Sequence, residues 1–363
     1  MVAPWKAAPS RTFPFDQPAL TYYYLARNGI YALAEHWGLR DEEILFPAYF
    51  HGVEVGTLLA AGVKLRFYPV HSRMNVDVDE IAASITPATK AIYLIHYLGF
   101  PGPIAELTKL CRERGLLLIE DCALALLSRV GERPLGTFGD ASIFCLYKTL
   151  PIPNGGALLV KTPGQTPLGP LLAPPLLSTA AYTATAVWRH LKFQQGGAGH
   201  QLLQRARDAV RSRSGTLGLV PVGGEQFDES KVRLSMSRVC HWTLASQDYA
   251  GIVRGRRTNY TRLMEGMSEF SKPVFEDLPD GVCPLFYPVR TNNKEEVLKR
   301  LFEGGVEGVN FWSTVPNMIP RGRFAEVDLL RETIVELPCH QDLSPTVMDR
   351  IVEQIRPLRK HLL

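Results

Sequence analysis

Between residues 28 and 161, short apolar runs alternate with segments of helical period. This alternation constrains the fold more than any other feature of the chain. Ile44–Phe46, Leu65–Val70, Ala91–His96, Leu116–Ile119 and Ala157–Lys161 read as strands. Between them, Val53–Ala61, Ile81–Ile85 and Ile104–Arg114 read as helices. In the last of these, Ile104, Leu107, Leu110 and Cys111 share one face, and Gly115 stops it. Ahead of the first strand, Ile30, Leu33, Ala34 and Trp37 also fall on one helical face, with Asn28-Gly29 at its head. Strand–helix–strand spacing of this kind predicts an α/β fold with a mostly parallel central sheet covered by helices on both faces.

The stretch 116–160 concentrates the unusual chemistry. The run Leu116–Ile119 delivers the acidic pair Glu120-Asp121, a turn Gly136-Thr137-Phe138-Gly139-Asp140 follows, and Lys148 sits between an apolar run and Gly155-Gly156. Ligands of open α/β sheets bind at the carboxyl ends of the strands, so a strand-end Asp121 marks a site. A lysine beside an apolar run is costly unless it is paired or used chemically.

Composition excludes several alternatives. The chain is 46% hydrophobic and 21% charged, an ordinary globular balance. A net charge of +4, with no Lys/Arg run longer than two, implies no nucleic-acid partner. The nine histidines are scattered, and no metal-ligand spacing occurs, so no metal is expected. The six cysteines lie far apart, mostly in apolar runs, which suits reduced core residues in the cytoplasm. The N-terminus lacks a signal-peptide core. The uncharged segment 166–188 is interrupted by Pro167, Pro170, Pro174 and Pro175, so no stable membrane span is expected.

Three divisions are expected: an arm over 1–20, a large domain over 21–239 and a small α+β domain over 240–363. Within the large domain, 162–238 is a variable segment, first Pro-rich, then Gly-rich, then basic and helical over Leu202–Arg213. The small domain reads as a long helix from Trp242 to about Met267, a strand Val282–Val289, a helix Lys294–Gly304, a strand Ile334–Leu337 and a last helix capped by Ser344.

A strand-end aspartate, a lysine, a Gly-led helix start and a facing ring together suit pyridoxal 5′-phosphate, where each alone is unremarkable. Their order resembles the DegT/DnrJ/EryC1/StrS aminotransferases, fold type I enzymes that mostly act on nucleotide-linked keto-sugars. The resemblance runs through Arg27-Asn28-Gly29-Ile30-Tyr31-Ala32-Leu33, Phe46-Pro47-Ala48-Tyr49, His96-Tyr97-Leu98-Gly99, Glu120-Asp121-Cys122-Ala123, the Gly136–Asp140 turn, Lys148 with Gly155-Gly156, and Leu337-Pro338-Cys339-His340. It implies that Lys148 is the Schiff-base lysine and the proton-moving base, that Asp121 pairs the pyridine nitrogen, and that Asn28 and Gly29 hold the phosphate. It places His51, or else Phe50, on the ring face, with His96 near the ring. It further implies a homodimer, an amino-acid donor such as glutamate and a keto-sugar acceptor. The sequence departs from the family at Ile30 (Thr in the family) and Leu124 (Gln or His). The phosphate-binding serine before the lysine is out of register: Ser142 is one position away, and Cys145 takes its place in the shorter spacing. Two other readings stay open: a non-catalytic or weakly binding relative, and another reaction of the same cofactor such as deoxysugar dehydration.

Overall fold

A computed structural model describes residues 12–161, 169, 171–193, 220, 227–313 and 318–363. The expected basic helix Leu202–Arg213 lies outside the described residues. The large sheet is built from β1 (Leu20–Tyr23), β2 (Glu43–Pro47), β3 (Lys64–Tyr68), β4 (Thr89–Ile95) and β5 (Leu117–Asp121). A small hairpin, β6 (Arg129–Val130) and β7 (Arg133–Pro134), precedes β8 (Ala141–Cys145) and β9 (Gly156–Val160). The seven strands of the large sheet lie in the order β1-β9-β8-β5-β4-β2-β3. Strands β3, β2, β4, β5 and β8 pair in parallel, whereas β9 is antiparallel to both neighbours, β8 and β1. The inner strands are almost wholly buried, which is why they read as unbroken apolar runs. Helices Ala26–His36, Val53–Ala60, Val78–Ser84 and Ile104–Arg114 fill the crossovers.

The helix expected to begin near Ile30 begins at Ala26, a turn earlier, and packs Gly29 closely against the sheet. A Cβ there would stand 3.3 Å from the Leu158 Cβ. The segment expected as an arm packs where it is described: Phe13 meets Phe144 edge-on at 6.0 Å, and Phe15 stacks on Tyr249 at 5.0 Å.

The second sheet joins β10 (Phe286–Arg290), β11 (Val309–Asn310) and β12 (Ile334–Pro338), with β12 central and antiparallel to both. The expected strand Val282–Val289 starts late because its first residues are tied instead to Ser128 and Leu98. Cys283 N–H donates to Ser128 Oγ (2.9 Å) and Leu285 N–H to the Leu98 carbonyl (2.9 Å). The long helix expected from Trp242 is two, Arg238–Ala245 and Tyr249–Met267; Asp248 caps the second by accepting from Gly251 N–H at 2.9 Å. Ser344 stands at the N-cap of the last helix, Pro345–Ile355, but its hydroxyl makes no capping bond. Among the described residues, no helix is long and apolar enough to cross a membrane.

Candidate active site

Asp121 is the last residue of β5 and is 2% exposed. Its Oδ2 accepts from the Tyr93 hydroxyl at 2.6 Å, and its Oδ1 from the Ala123 N–H at 2.8 Å. Burial, together with nearby Glu54, raises its pKa to about 6, although the two hydrogen bonds and Lys148 favour the charged form. The neighbouring strand, β8, runs directly into a one-turn helix, Leu146–Thr149, that carries Lys148. Asp121 and half-buried Lys148 line one cavity of about 340 Å³ at the carboxyl ends of the strands.

The lysine turn is held from both sides. Leu146 N–H donates to the Gly155 carbonyl (3.0 Å), and Gly155 N–H to the Tyr24 carbonyl (2.9 Å). From the other side, Arg256 Nη2 donates to the Thr149 carbonyl at 3.3 Å, as does Gln341 at 3.4 Å. Gly155 has φ +140°, and a Cβ on Gly156 would lie 2.2 Å from Ala26 N. The glycine pair therefore lets the first turn of helix Ala26–His36 abut the lysine turn.

The structure brings only some of the sequence candidates to this cavity. His51, Cys145, Asp121 and Lys148 line it; Asn28, Gly29, Phe50, His96 and Ser142 do not. Because the helix starts early, Asn28 sits inside its first turn. Its N–H donates to the Leu25 carbonyl (3.1 Å) and its side-chain amide to the Lys231 carbonyl (2.9 Å). Phe50 is buried and stacks on Phe67 at 5.5 Å, so His51 is the ring that faces the cavity. Ser142 turns away and donates to the Gly136 carbonyl (2.7 Å). His96 is buried behind the strand end, where its Nδ1 accepts from Gly102 N–H (3.0 Å) and its Nε2 lies 3.4 Å from Glu120 Oε2.

Glu120 belongs to the fold rather than the cavity. Its carboxylate accepts from the N–H groups of Gly136 (2.8 Å), Phe138 (2.6 Å) and Gly139 (2.5 Å), pinning the glycine turn. His96, Glu120 and Cys122 have potential ligand atoms within 4.8 Å of one another. However, the Glu120 oxygens are already engaged by these donors, and burial raises the Cys122 thiol well above its usual range.

Sequence reasoning missed Tyr93, Glu54, Arg27, Trp312 and Glu336, all of which except Tyr93 line the cavity. Two of them had a signal. A tyrosine inside a fully apolar strand needs a hydroxyl partner. A glutamate inside Ile334–Leu337 needs a reason to be buried. Arg331 is 3% exposed and donates to the carbonyls of Ala48 (3.1 Å), Phe50 (3.2 Å) and Trp312 (2.8 Å). It thereby fixes the His51 loop against the Trp312 segment that follows β11.

The DegT/DnrJ/EryC1/StrS aminotransferase family profile matches residues 31–166. A dTDP-4-dehydro-2,3,6-trideoxy-D-glucose 4-aminotransferase of Saccharopolyspora spinosa is 36% identical over 34% of this chain and 32% of its own length. A dTDP-3-amino-3,4,6-trideoxy-alpha-D-glucose transaminase of Micromonospora megalomicea subsp. nigra is 26% identical over 87% of this chain and 79% of its own. The match thus spans about a third of the first relative and most of the second. The crystal structure of the aminotransferase TlmJ from Streptoalloteichus hindustanus superimposes with a TM-score of 0.67 at 23% identity, covering 93% of this chain and 85% of the other. The fold is therefore fold type I, as the resemblance implied. The stretch 31–166, which carries Asp121 and Lys148, is thus similar to the DegT/DnrJ/EryC1/StrS aminotransferase family.

Proposed function

We propose that this protein is a pyridoxal phosphate-dependent aminotransferase that moves an amino group from an amino acid, of the glutamate class, to a keto-sugar, nucleotide-linked in the relatives it resembles. The observation that carries this reading is the placement of Asp121 and Lys148 on adjacent strand ends of one cavity. The cavity fits the cofactor. Asp121 is a buried carboxyl held in position by two donors, suited to face a protonated ring nitrogen. His51 supplies a flat face, and Arg27 with the helix start at Ala26 supplies a cationic end for a phosphate. The glycine at 156 keeps this cradle open.

When bound, pyridoxal phosphate supplies an electron sink for the carbon that gains or loses the amino group. The protein does the rest. Asp121 titrates at about 6, so it is largely ionised at neutral pH and can hold a proton on a ring nitrogen. Lys148 would provide the amine that holds the cofactor's aldehyde carbon and, once a substrate amine displaces it, would carry the proton to and from the reacting carbon. Ile30, Leu124 and Ile143 line the cavity with apolar surface that excludes water and strengthens these charges.

In this reading, residues 21–239 are the cofactor domain and 240–363 the small domain. A homodimer and a cytoplasmic location go with it: exposed Leu172, Leu176, Leu177 and Trp242 offer apolar surface for a second copy, and all six cysteines are free and buried. A second reading, a non-catalytic relative, is favoured by Ile30 and Leu124, where the family places polar cofactor contacts. Dehydration is disfavoured because Lys148 stands where dehydratases of the family carry histidine.

Borohydride treatment of cofactor-saturated protein, followed by peptide mass spectrometry, tests the proposal. Modification confined to Lys148 and lost in Lys148→Ala is expected. An unmodified Lys148 would sink the enzyme reading, and absence of binding at high micromolar cofactor would favour the non-catalytic one.

A further inference from the structure

The small domain places a carboxyl in the cavity that the chemistry above does not use. Glu336 lies at the middle of β12, paired on one side with Pro288 and on the other with Val309. It is 1% exposed and lines the cavity, and its Oε1 is buried with no hydrogen-bond partner. A second lining carboxyl, Glu54 on helix Val53–Ala60, likewise has a buried Oε2 with no partner. Nearly all buried acceptors in folded proteins are satisfied, and an orphan costs stability. Two orphaned carboxyl oxygens on one cavity, one from each domain, therefore point to donors that arrive with a ligand.

Beside them the wall is aromatic. Phe311 and Trp312 stack at 4.3 Å with their planes 21° apart, and His51 stands 6.4 Å from Trp312. Carboxyl acceptors next to an aromatic wall match a polyhydroxylated ring, which presents hydroxyl donors at its rim and C–H groups on its faces. An anionic group in the same place would meet these acids.

We propose that Glu336, with Glu54, is the substrate-reading pair of this site: their free carboxyl oxygens accept hydrogen bonds from ring hydroxyls of the amino-group acceptor and hold its reacting carbon towards Lys148. The proposal rests on the aminotransferase reading for the identity of the reacting carbon. It does not rest on that reading for the binding of the ring itself. Burial in the free protein leaves Glu336 well above the usual carboxylate range, and Lys148 and Lys294 oppose that shift. A proton on the carboxyl still leaves an acceptor for a ring hydroxyl.

The experiment measures binding of three unreactive probes, UDP-glucose, dTDP-glucose and GDP-mannose, by calorimetry to the pyridoxal phosphate-loaded chain and to the cofactor-free chain. Wild type, Glu336→Leu, Glu336→Gln and Glu54→Gln are compared. At least one probe is expected to bind wild type. Glu336→Leu should weaken it by about tenfold or more, with Glu336→Gln recovering part because one acceptor remains. Cofactor affinity should change less than about twofold in the two Glu336 variants. Glu336→Leu should also melt higher than wild type, since it removes a buried acceptor kept for a ligand. A purely structural glutamate would melt lower on substitution and leave probe binding unmoved. Unchanged probe binding in Glu336→Leu overturns the proposal. So does a parallel loss of cofactor affinity, failure of all three probes to bind wild type, or preferential Glu336-dependent binding of the diamine putrescine. If Lys148 fails the borohydride test while Glu336-dependent sugar binding persists in the cofactor-free chain, the enzyme reading falls and the reading pair stands.

Discussion

The Tyr93 hydroxyl donates to Asp121 Oδ2 at 2.6 Å, across the pair of parallel strands β4 and β5. Strand pairing sets this contact: Tyr93 lies opposite Ile119 in the ladder, and its long side chain reaches the strand end two residues on. The hydroxyl fixes one carboxyl oxygen while the Ala123 N–H fixes the other. The carboxyl plane is thus set before any ligand arrives, which is the preorganisation a ring-nitrogen partner needs.

Asp121→Asn should separate this function from its cost. The carboxyl titrates at about 6 in the folded chain, raised by burial and Glu54, against 3.8 for the ordinary group. A raised carboxyl contributes its stability below the unfolded pKa and loses it as pH rises through the folded value. Ionisation at neutral pH then costs about 3 kcal/mol, at roughly 1.4 kcal/mol per unit. Cofactor-free Asp121→Asn should melt above wild type at pH 7 and match it below about pH 4. Its cofactor affinity should fall at least about tenfold, because an amide cannot pair a pyridinium as an ion does. Thermal melts across pH with a parallel cofactor titration check both.

Glu120 carries the opposite sign. Burial pushes its carboxyl up, but His96 and the N–H groups of Gly139 and Gly136 hold it below the usual range. A depressed carboxyl contributes stability above its unfolded pKa and loses it as pH falls through the folded value. Glu120→Gln replaces an acceptor-only group with an amide, which cannot satisfy three N–H donors. A loss of about 2–4 kcal/mol at pH 7 is expected, shrinking below about pH 4. Urea unfolding at pH 7 and pH 3 measures it, and equal losses at both would contradict the charged-acceptor role.

The parallel sheet was legible in the sequence because its inner strands are buried on both faces and carry no alternation to confuse with a helix. Asp121 and Lys148 were legible because polar groups at the ends of apolar runs need a purpose. Asn28 was misplaced for a local reason. The Asn-Gly pair suggests a turn, but Gly29 is there for close contact with Leu158, and the helix had already begun at Ala26. Glu336 carried the signal of a glutamate inside an apolar strand, but Trp312 was not legible as a site residue, because it meets the Asp121 cavity only through packing across nearly two hundred residues of chain.

Arg256 ties the lysine turn to the segment leading into β10. It is 2% exposed, and its guanidinium donates to the carbonyls of Pro284 (3.2 Å), Leu285 (3.0 Å) and Thr149 (3.3 Å). Arg256→Met keeps much of the stem packing and strips all three carbonyls of this donor. Stability should drop by about 2–4 kcal/mol, and cofactor affinity should fall because the turn after Lys148 loses an anchor. Denaturant unfolding and a cofactor titration on the same preparation check this, and a stability loss with unchanged affinity would confine Arg256 to holding the fold.

Gly156→Ala tests the cradle itself. A Cβ at 156 would stand 2.2 Å from Ala26 N and 2.4 Å from Ala26 Cα and the Leu25 carbonyl carbon, all backbone atoms that cannot swing aside. The pairing of Tyr23 with Gly156 leaves β1 no freedom to yield without breaking its ladder to β9. The helix start must therefore lift away from the lysine turn. Overpacking of this kind costs about 1–3 kcal/mol or more, and it displaces the N–H groups offered to a phosphate. Gly115→Ala is the control: its φ is +65°, nothing lies within 4 Å of the added carbon, and its helix end is remote from the cavity lining. That variant should lose about 1 kcal/mol through strain alone and bind cofactor as wild type does. Gly156→Ala should lose cofactor affinity by about tenfold or more, and the difference between the two variants in a cofactor titration, after both are matched for folded fraction, isolates the cradle from general instability.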